Sequence, residues 1–434
     1  MKNNRCSNIE ASIGFSRKWD ALEAGREVAE SAIRKLNQPP SFFLLFSTIH
    51  YRKNGGFNKF LKGVWDVLPE GTPLIGGTIA GFINNYGCYT RGATALAVSS
   101  SDLDVAVGIG KHTKINPSIA AKQCAMMIKN KLKDSRKNKL IINLISGPTI
   151  PDLPILGRVN VIKSNFYGWL ATHLGIKLFS YFGNGMGKEE DIVDSLSNYF
   201  KDYYIIGGSS MDDYKQIFSY QFINKECHKN SVVALGCHLS FPIYLKSLIG
   251  MHETDKTFKI TGSAYGGRLI TSINDKPAKE SILDILGITE EQYGDLSGFY
   301  YRTANYFPIS FEENSNFTSG IAGFLGNSVA LGYKIRGNNV KFLSITGAES
   351  LGVIDEAFKN EKNGYNYPFV LMSSSAMVLN SLGSEAYTMK EKLDNYIKDT
   401  PYLMICTVNE NAKSPGKSGF ARVYSFKVMA PKIS

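Results

Sequence analysis

The sequence predicts an α/β protein in which helix-strand-helix-strand units recur and form mixed sheets flanked by helices. Three observations carry this prediction. Short apolar runs of strand length close on Ser, Thr or Gly, helical periodicity fills the intervals between them, and the same order of elements returns three times. A chain of 434 residues has room for two or three domains, and its 43% apolar and 20% charged content is that of an ordinary globular protein.

The first unit opens with a helix over 20–36, in which Leu22, Gly25, Ala29, Ala32, Ile33 and Leu36 share a face and which Pro39-Pro40 ends. The run 42–46 is continuously apolar, as in a strand covered on both faces, and closes on Ser47-Thr48. A short helix near 57–67 leads to Pro73-Leu74-Ile75-Gly76-Gly77-Thr78, a strand entering a glycine turn, and strands over 93–98 and 104–109 finish the unit. Asn116-Pro117 then supplies an N-cap followed by proline at the first helical position, starting a helix to about 133. Its strand, 140–145, ends at Ser146-Gly147; Ile205-Ile206-Gly207-Gly208-Ser209 gives the second glycine turn, and 231–239 the next strand.

The longer interval in this second copy locates an insertion at about 148–187, rich in aromatic residues and glycine. It reads either as an extra helix and loop over the sheet or as a lid, a partner surface or a shallow membrane contact. A third copy has a helix over 351–358, a strand over 369–372 closing on Ser373-Ser374-Ser375, a helix over 386–397 and a strand over 402–406. Runs at 258–261, 269–273 and 340–345 add antiparallel pairing. A boundary in the polar stretch 288–295 divides the chain into 1–290 and 291–434.

The net charge of +11 favours anionic surroundings. The densest basic run, 129–139, reads as the solvated end of a helix; without a stacking motif it does not point to nucleic acid. No apolar run approaches the roughly 18 to 20 residues of a membrane span. Residues 1–10 lack the apolar segment of a signal peptide, and six scattered cysteines form no CxxC pair, so the expected location is a reducing cytoplasm.

Taken in order, these segments resemble the FIST family, with both its N-terminal and C-terminal FIST domains. The resemblance rests on Ser12-Ile13-Gly14 before the first helix, Leu74-Ile75-Gly76-Gly77-Thr78 and Ile205-Ile206-Gly207-Gly208-Ser209. Ile273-Asn274-Asp275-Lys276-Pro277-Ala278 and Phe307-Pro308-Ile309 extend it. It implies an intracellular sensory module of signal transduction that binds a small, amino-acid-like ligand and, with no room here for an output domain, acts through a separate signalling protein. Some members resemble haem-binding gas sensors. Where the family's C-terminal domain tends to show a cysteine and an arginine, this chain has Ser373-Ser374-Ser375-Ala376-Met377, and the family's Gly-Glu pair stands here as Asn409-Glu410.

Ligands of open α/β sheets settle beyond the carboxyl ends of the strands. Gly76, Gly77 and Thr78, with Gly207, Gly208, Ser209 and Ser210, would offer a ligand carboxylate backbone donors and hydroxyls; the same glycines equally suit close packing against a neighbour. Ser373, Ser374 and Glu385 follow one strand and Cys406, Asn409 and Glu410 another, so adjacent strands would bring both groups to one cleft, where a carboxylate could hold an ammonium group. Turn chemistry accounts for the same residues. Two rivals remain: a thiol nucleophile at Cys406, which needs a histidine base, and a haem with His238 or His173 as axial ligand. Cys227-His228 and Cys237-His238 do not have zinc spacing, and no cofactor is otherwise implied.

Overall fold

The computed structural model describes residues 9–149, 152–153, 157–158, 161–162, 164–289, 308–359, 366–417, 420–422 and 425–433. Cys6, Phe307, parts of the 148–187 insertion and most of the expected boundary at 288–295 lie outside these.

Three sheets share one strand plan. In the first, Glu10–Ser16 runs antiparallel to Ala93–Ser99, which is antiparallel to Phe42–Ser47, which is parallel to Leu74–Thr78. Asp104–Lys111, Ser231–Leu239, Asn138–Ser146 and Tyr204–Ser210 repeat that order. So do Ile243–Ile249, Ser425–Pro431, Val370–Ser375 and Tyr402–Thr407. The three sequence repeats are therefore three copies of one topology, with a correction: Asp104–Lys111 opens the second sheet instead of finishing the first.

Each sheet is completed by a hairpin from the next unit. Gln221–Ile223 pairs with Leu74–Thr78, Glu410–Lys413 with Tyr204–Ser210, and Gly81–Asn84 with Tyr402–Thr407. The exchange closes a ring. At the crossings the backbone N–H of Met211 donates to Thr78 O (3.0 Å), that of Val408 to Ser209 O (3.4 Å) and that of Ala80 to Cys406 O (3.1 Å).

The continuous apolar runs follow from burial on both faces. Phe42, Leu44 and Phe46 point inward with Ile142, Leu144, Leu371 and Ile405 into one central core shared by the three sheets. Phe43 and Leu45 point outward onto the helices Ala21–Ile33 and Phe57–Trp65. The second sheet is covered by Pro117–Lys129 and Glu189–Tyr199, the third by Gly347–Phe358, Ala376–Leu382 and Ala386–Ile397. Asp20 caps its helix by accepting from the N–H groups of Leu22 and Glu23, and Thr346 with Glu349 forms a capping box. Asn116 precedes its helix without a side-chain cap bond; Pro117 alone marks the start.

At the end of the basic run 129–139 two lysines form surface ion pairs, Lys137 with Asp102 and Asp104, and Lys139 with Asp134 and Asp202. Between Ile243–Ile249 and Gly347–Phe358 the third unit carries a β-rich insertion. Its nine-stranded sheet joins His252–Ala264 and Leu269–Ile273 to Ile309–Phe311, Ile321–Leu325, Ser328–Leu331 and Asn339–Ser344 over a separate core. Strands from both sides of residue 290 share this sheet.

Candidate functional site

Beyond the carboxyl ends of Asn138–Ser146 and Tyr204–Ser210, the first turn of the helix Glu189–Tyr199 carries Glu189, Glu190 and Asp191. Acids suit a helix N-terminus, but here the first two are buried, Glu190 beneath the β-rich insertion and Glu189 against Asn409 and Gly187. Glu190 Oε1 accepts from Arg268 Nη2 (2.5 Å) and the backbone N–H of Lys334 (3.4 Å). Arg268 Nη1 donates to Gly332 O at 3.0 Å. Lys334 pairs with Asp191 at 2.6 Å and Arg336 with Asp194 at 3.5 Å, so a ladder of three ion pairs seats the insertion on one helix face.

Tyr333, between those cations, enters the core around Ile192 and Leu196. Its buried hydroxyl and Glu190 Oε2 make no hydrogen bond to a described residue. Burial, with the Glu189, Glu190 and Glu410 charges nearby, raises the Tyr333 pKa well above that of an ordinary phenol. Glu189 Oε1 accepts from Asn409 Nδ2 at 2.8 Å. Its other side lies against Gly187, where an added Cβ would fall 2.1 Å from the carboxylate. Burial and the neighbouring Glu190 push its pKa up to about 7. Lys114, buried and donating to Thr149 Oγ1, is brought down to about 7 by burial, partly offset by Glu189.

Glu410 lies at the inner end of the same region. It accepts from Thr407 Oγ1 (3.2 Å) and from the N–H and Oγ of Ser425 (both 3.0 Å). Burial pushes its pKa up to about 7 against those bonds and the Lys427 charge. Gly208 pairs with Glu410, and an added Cβ there would meet Thr407 Oγ1 at 2.4 Å.

The strand-end residues named from the sequence divide accordingly. Gly208, Asn409 and Glu410 come together here, and Cys406, though it faces the helix side, is close enough for Glu410 to raise its pKa. Gly76, Gly77 and Gly207 are buried within strands, where a Cβ would fall 1.6, 2.2 and 2.3 Å from the carbonyl oxygens of Leu45, Tyr220 and Asn143. At those three positions glycine permits close approach of backbones. Thr78 Oγ1 accepts from Tyr220 N, and Ser210 Oγ donates to Ile145 O and accepts from Gln221 Nε2. Ser209 Oγ and Ser374 Oγ are buried without a partner among the described residues. Strand alternation brings Ser373, and not Ser374, to Thr407, at 3.3 Å. Glu385 is exposed, bonded to Thr388 Oγ1, and does not reach this centre.

Sequence reasoning missed Lys114, Glu189, Glu190, Arg268 and Tyr333. A signal was present: cations at 268, 334 and 336 in β-patterned sequence match acids at 190, 191 and 194 of one helix.

Of the histidines proposed for haem, His238 has its Nε2 engaged, whereas His173 is bonded through Nδ1, an arrangement that leaves Nε2 as the ligand atom. His238 Nε2 is 2.8 Å from the Tyr203 hydroxyl, and exposed His173 has Nδ1 2.9 Å from Trp169 O. Among the described residues no three His, Cys, Asp or Glu side chains are placed to hold a metal ion. Burial raises the Cys406 thiol pKa well above its ordinary value, which disfavours the thiolate needed for nucleophilic attack. Alkylation by iodoacetamide followed by peptide mass spectrometry should therefore modify Cys406 no faster than the chain unfolds. Rapid labelling of the native protein would contradict this burial.

A family model, the FIST N domain, matches residues 41–276. The chain belongs to the FIST family. FIST domains are sensory domains of signal transduction. In this FIST protein the match runs from the first central strand through the first two units and into the β-rich insertion, ending before the helix Ala278–Leu286. Arg268 lies inside it; Tyr333, Asn409 and Glu410 lie beyond. No curated protein matches the chain. Among the described residues no helix is long and apolar enough to cross a membrane.

Proposed function

We propose that this FIST protein senses a small amino-acid-like metabolite at the polar centre between the helix Glu189–Tyr199 and the β-rich insertion, and signals through a separate protein in the cytoplasm. One observation carries the reading: Glu190 Oε2 and the Tyr333 hydroxyl are buried beside Arg268 without a partner among the described residues. Buried polar groups are ordinarily paired, and exceptions concentrate where function requires them. The unpartnered oxygen of Glu190 suits a ligand ammonium group, and the tyrosine hydroxyl, beside the Arg268 charge, can donate to a ligand carboxylate.

The centre is closed, so a ligand enters as the insertion shifts on its helix. That seat is an ionic ladder, the kind of polar interface that lets domains move. A partner would read the altered seat. We read residues 291–434, which lie beyond the FIST N match, as the family's C-terminal domain.

The test of ligand class is thermal unfolding of the full chain against the common amino acids, each beside its decarboxylated amine and N-acetylated form. A ligand that binds only the folded state stabilises it by about 2.7 kcal/mol at a hundredfold excess over Kd. The expected result is a selective upward shift that needs both charged groups. Equal shifts with the amine or the N-acetyl form would reject the zwitterionic class.

A further inference from the structure

The 148–187 insertion of the second unit is closed at its neck by the pair Thr149 and Gly185, whose backbones exchange hydrogen bonds of 2.9 and 2.7 Å. Beyond the neck stands a helical arm, Asn165–Leu170, the π-helical turn Ala171–Gly175 and Ile176–Tyr181. It is held at its ends. Gly168 abuts the backbone of Leu325 and Gly326, where a Cβ would lie 2.7 and 2.6 Å away, and Gly183 abuts the Asn230 side chain. In place of packing over the sheet, its large side chains face outward: Phe166, Tyr167, Trp169, Leu174, Tyr181 and Phe182 are 54% to 74% exposed. A short helix with so little packing is marginal in water, and a cluster of exposed large apolar side chains of this kind marks an interaction surface.

Charge identifies the occupant. From Leu153 to Gly187 the sequence has no Asp or Glu but has Arg158, Lys163 and Lys177, in a chain whose net charge is +11. Aromatic rings on short helical segments, accompanied by cations and no acids, match the boundary between lipid headgroups and acyl chains, where Trp and Tyr place an apolar body and a polar tip. The arm is too short to span a bilayer.

We propose that the helical arm 165–182 docks this protein on an anionic membrane surface, lying in the headgroup plane. The aromatic side chains enter the interface, and the basic chain is drawn to acidic headgroups.

The test is flotation of the full chain with vesicles of phosphatidylcholine containing about one-third phosphatidylserine, beside pure phosphatidylcholine vesicles. The expected result is association with the anionic vesicles that weakens with added salt and falls by about tenfold or more in Trp169→Ser/Tyr181→Ser/Phe182→Ser. These positions are exposed, and an unchanged thermal midpoint would verify that the variant folds. A second measurement does not depend on that variant: with Trp19→Phe and Trp65→Phe leaving Trp169 as the remaining tryptophan, its emission should shift to the blue on adding anionic vesicles. Absence of association and of an emission shift would overturn the proposal. So would a self-associating native chain that the triple substitution makes monomeric while vesicles have no effect, because a second copy would then cover the arm.

Discussion

Arg268→Ala should destabilise the protein by about 3–5 kcal/mol, the cost of leaving a buried charge without its partner. Arg268 and Glu190 are 3% and 2% exposed, and the guanidinium supplies both the contact to Glu190 Oε1 and the bond to Gly332 O. Removing it strands the carboxylate beneath the insertion and breaks the innermost rung of the ladder. Urea unfolding should show a lower midpoint with little change in slope. Adding Glu190→Gln to Arg268→Ala should recover part of the loss, because no unpaired charge then remains buried. A single-variant cost below about 1 kcal/mol, the range of surface pairs, would mean that the insertion does not bury this pair in solution.

The same centre should give stability a minimum near neutral pH. Glu189 and Glu410 are each raised from 4.5 to about 7 by burial. A raised carboxylate contributes stability that is fully present below the unfolded value of 4.5 and lost as pH rises through about 7. Lys114 is lowered from 10.5 to about 7, so its contribution is present above 10.5 and lost as pH falls through about 7. On the acid side each carboxylate changes stability by up to about 1.4 kcal/mol per pH unit, falling toward neutrality, and on the alkaline side the lysine restores it with the opposite slope. The check is the difference between native and variant unfolding profiles, which cancels ionisations elsewhere. Glu410→Gln should flatten the acid limb and Lys114→Met the alkaline limb. Parallel profiles would contradict the buried, shifted state of these groups.

Much of the fold was legible because its determinants are local. Apolar runs such as 42–46 and 231–239 announce strands buried on both faces, and Pro39-Pro40 and Pro117 mark helix limits. The hairpin exchange was not legible, since the pairing of Gln221 with Gly77, Glu410 with Gly208 and Gly81 with Cys406 joins distant segments whose local patterns name no partner. The strand-end glycines were visible, while the atoms they approach were not.

The site was half visible for a similar reason. Asn409 and Glu410 stand out at a strand end, whereas Glu189 and Glu190 read as the solvated first turn of a helix. The β-rich insertion, which brings Arg268 across the chain onto Glu190, and Asn409, which bonds Glu189, make them interior. Glu385 misleads because the helix Ala376–Leu382 carries the chain away from the strand end before reaching it.

The central claim, that the centre around Glu190, Arg268 and Tyr333 holds the ligand, is tested most directly by titrating the best stabilising amino acid into native, Glu190→Gln and Tyr333→Phe proteins and following the thermal midpoint. The account predicts a saturable upward shift in the native chain that is abolished in Glu190→Gln and weakened in Tyr333→Phe, with all three proteins folded. An undiminished shift in both variants would place the ligand elsewhere and contradict it.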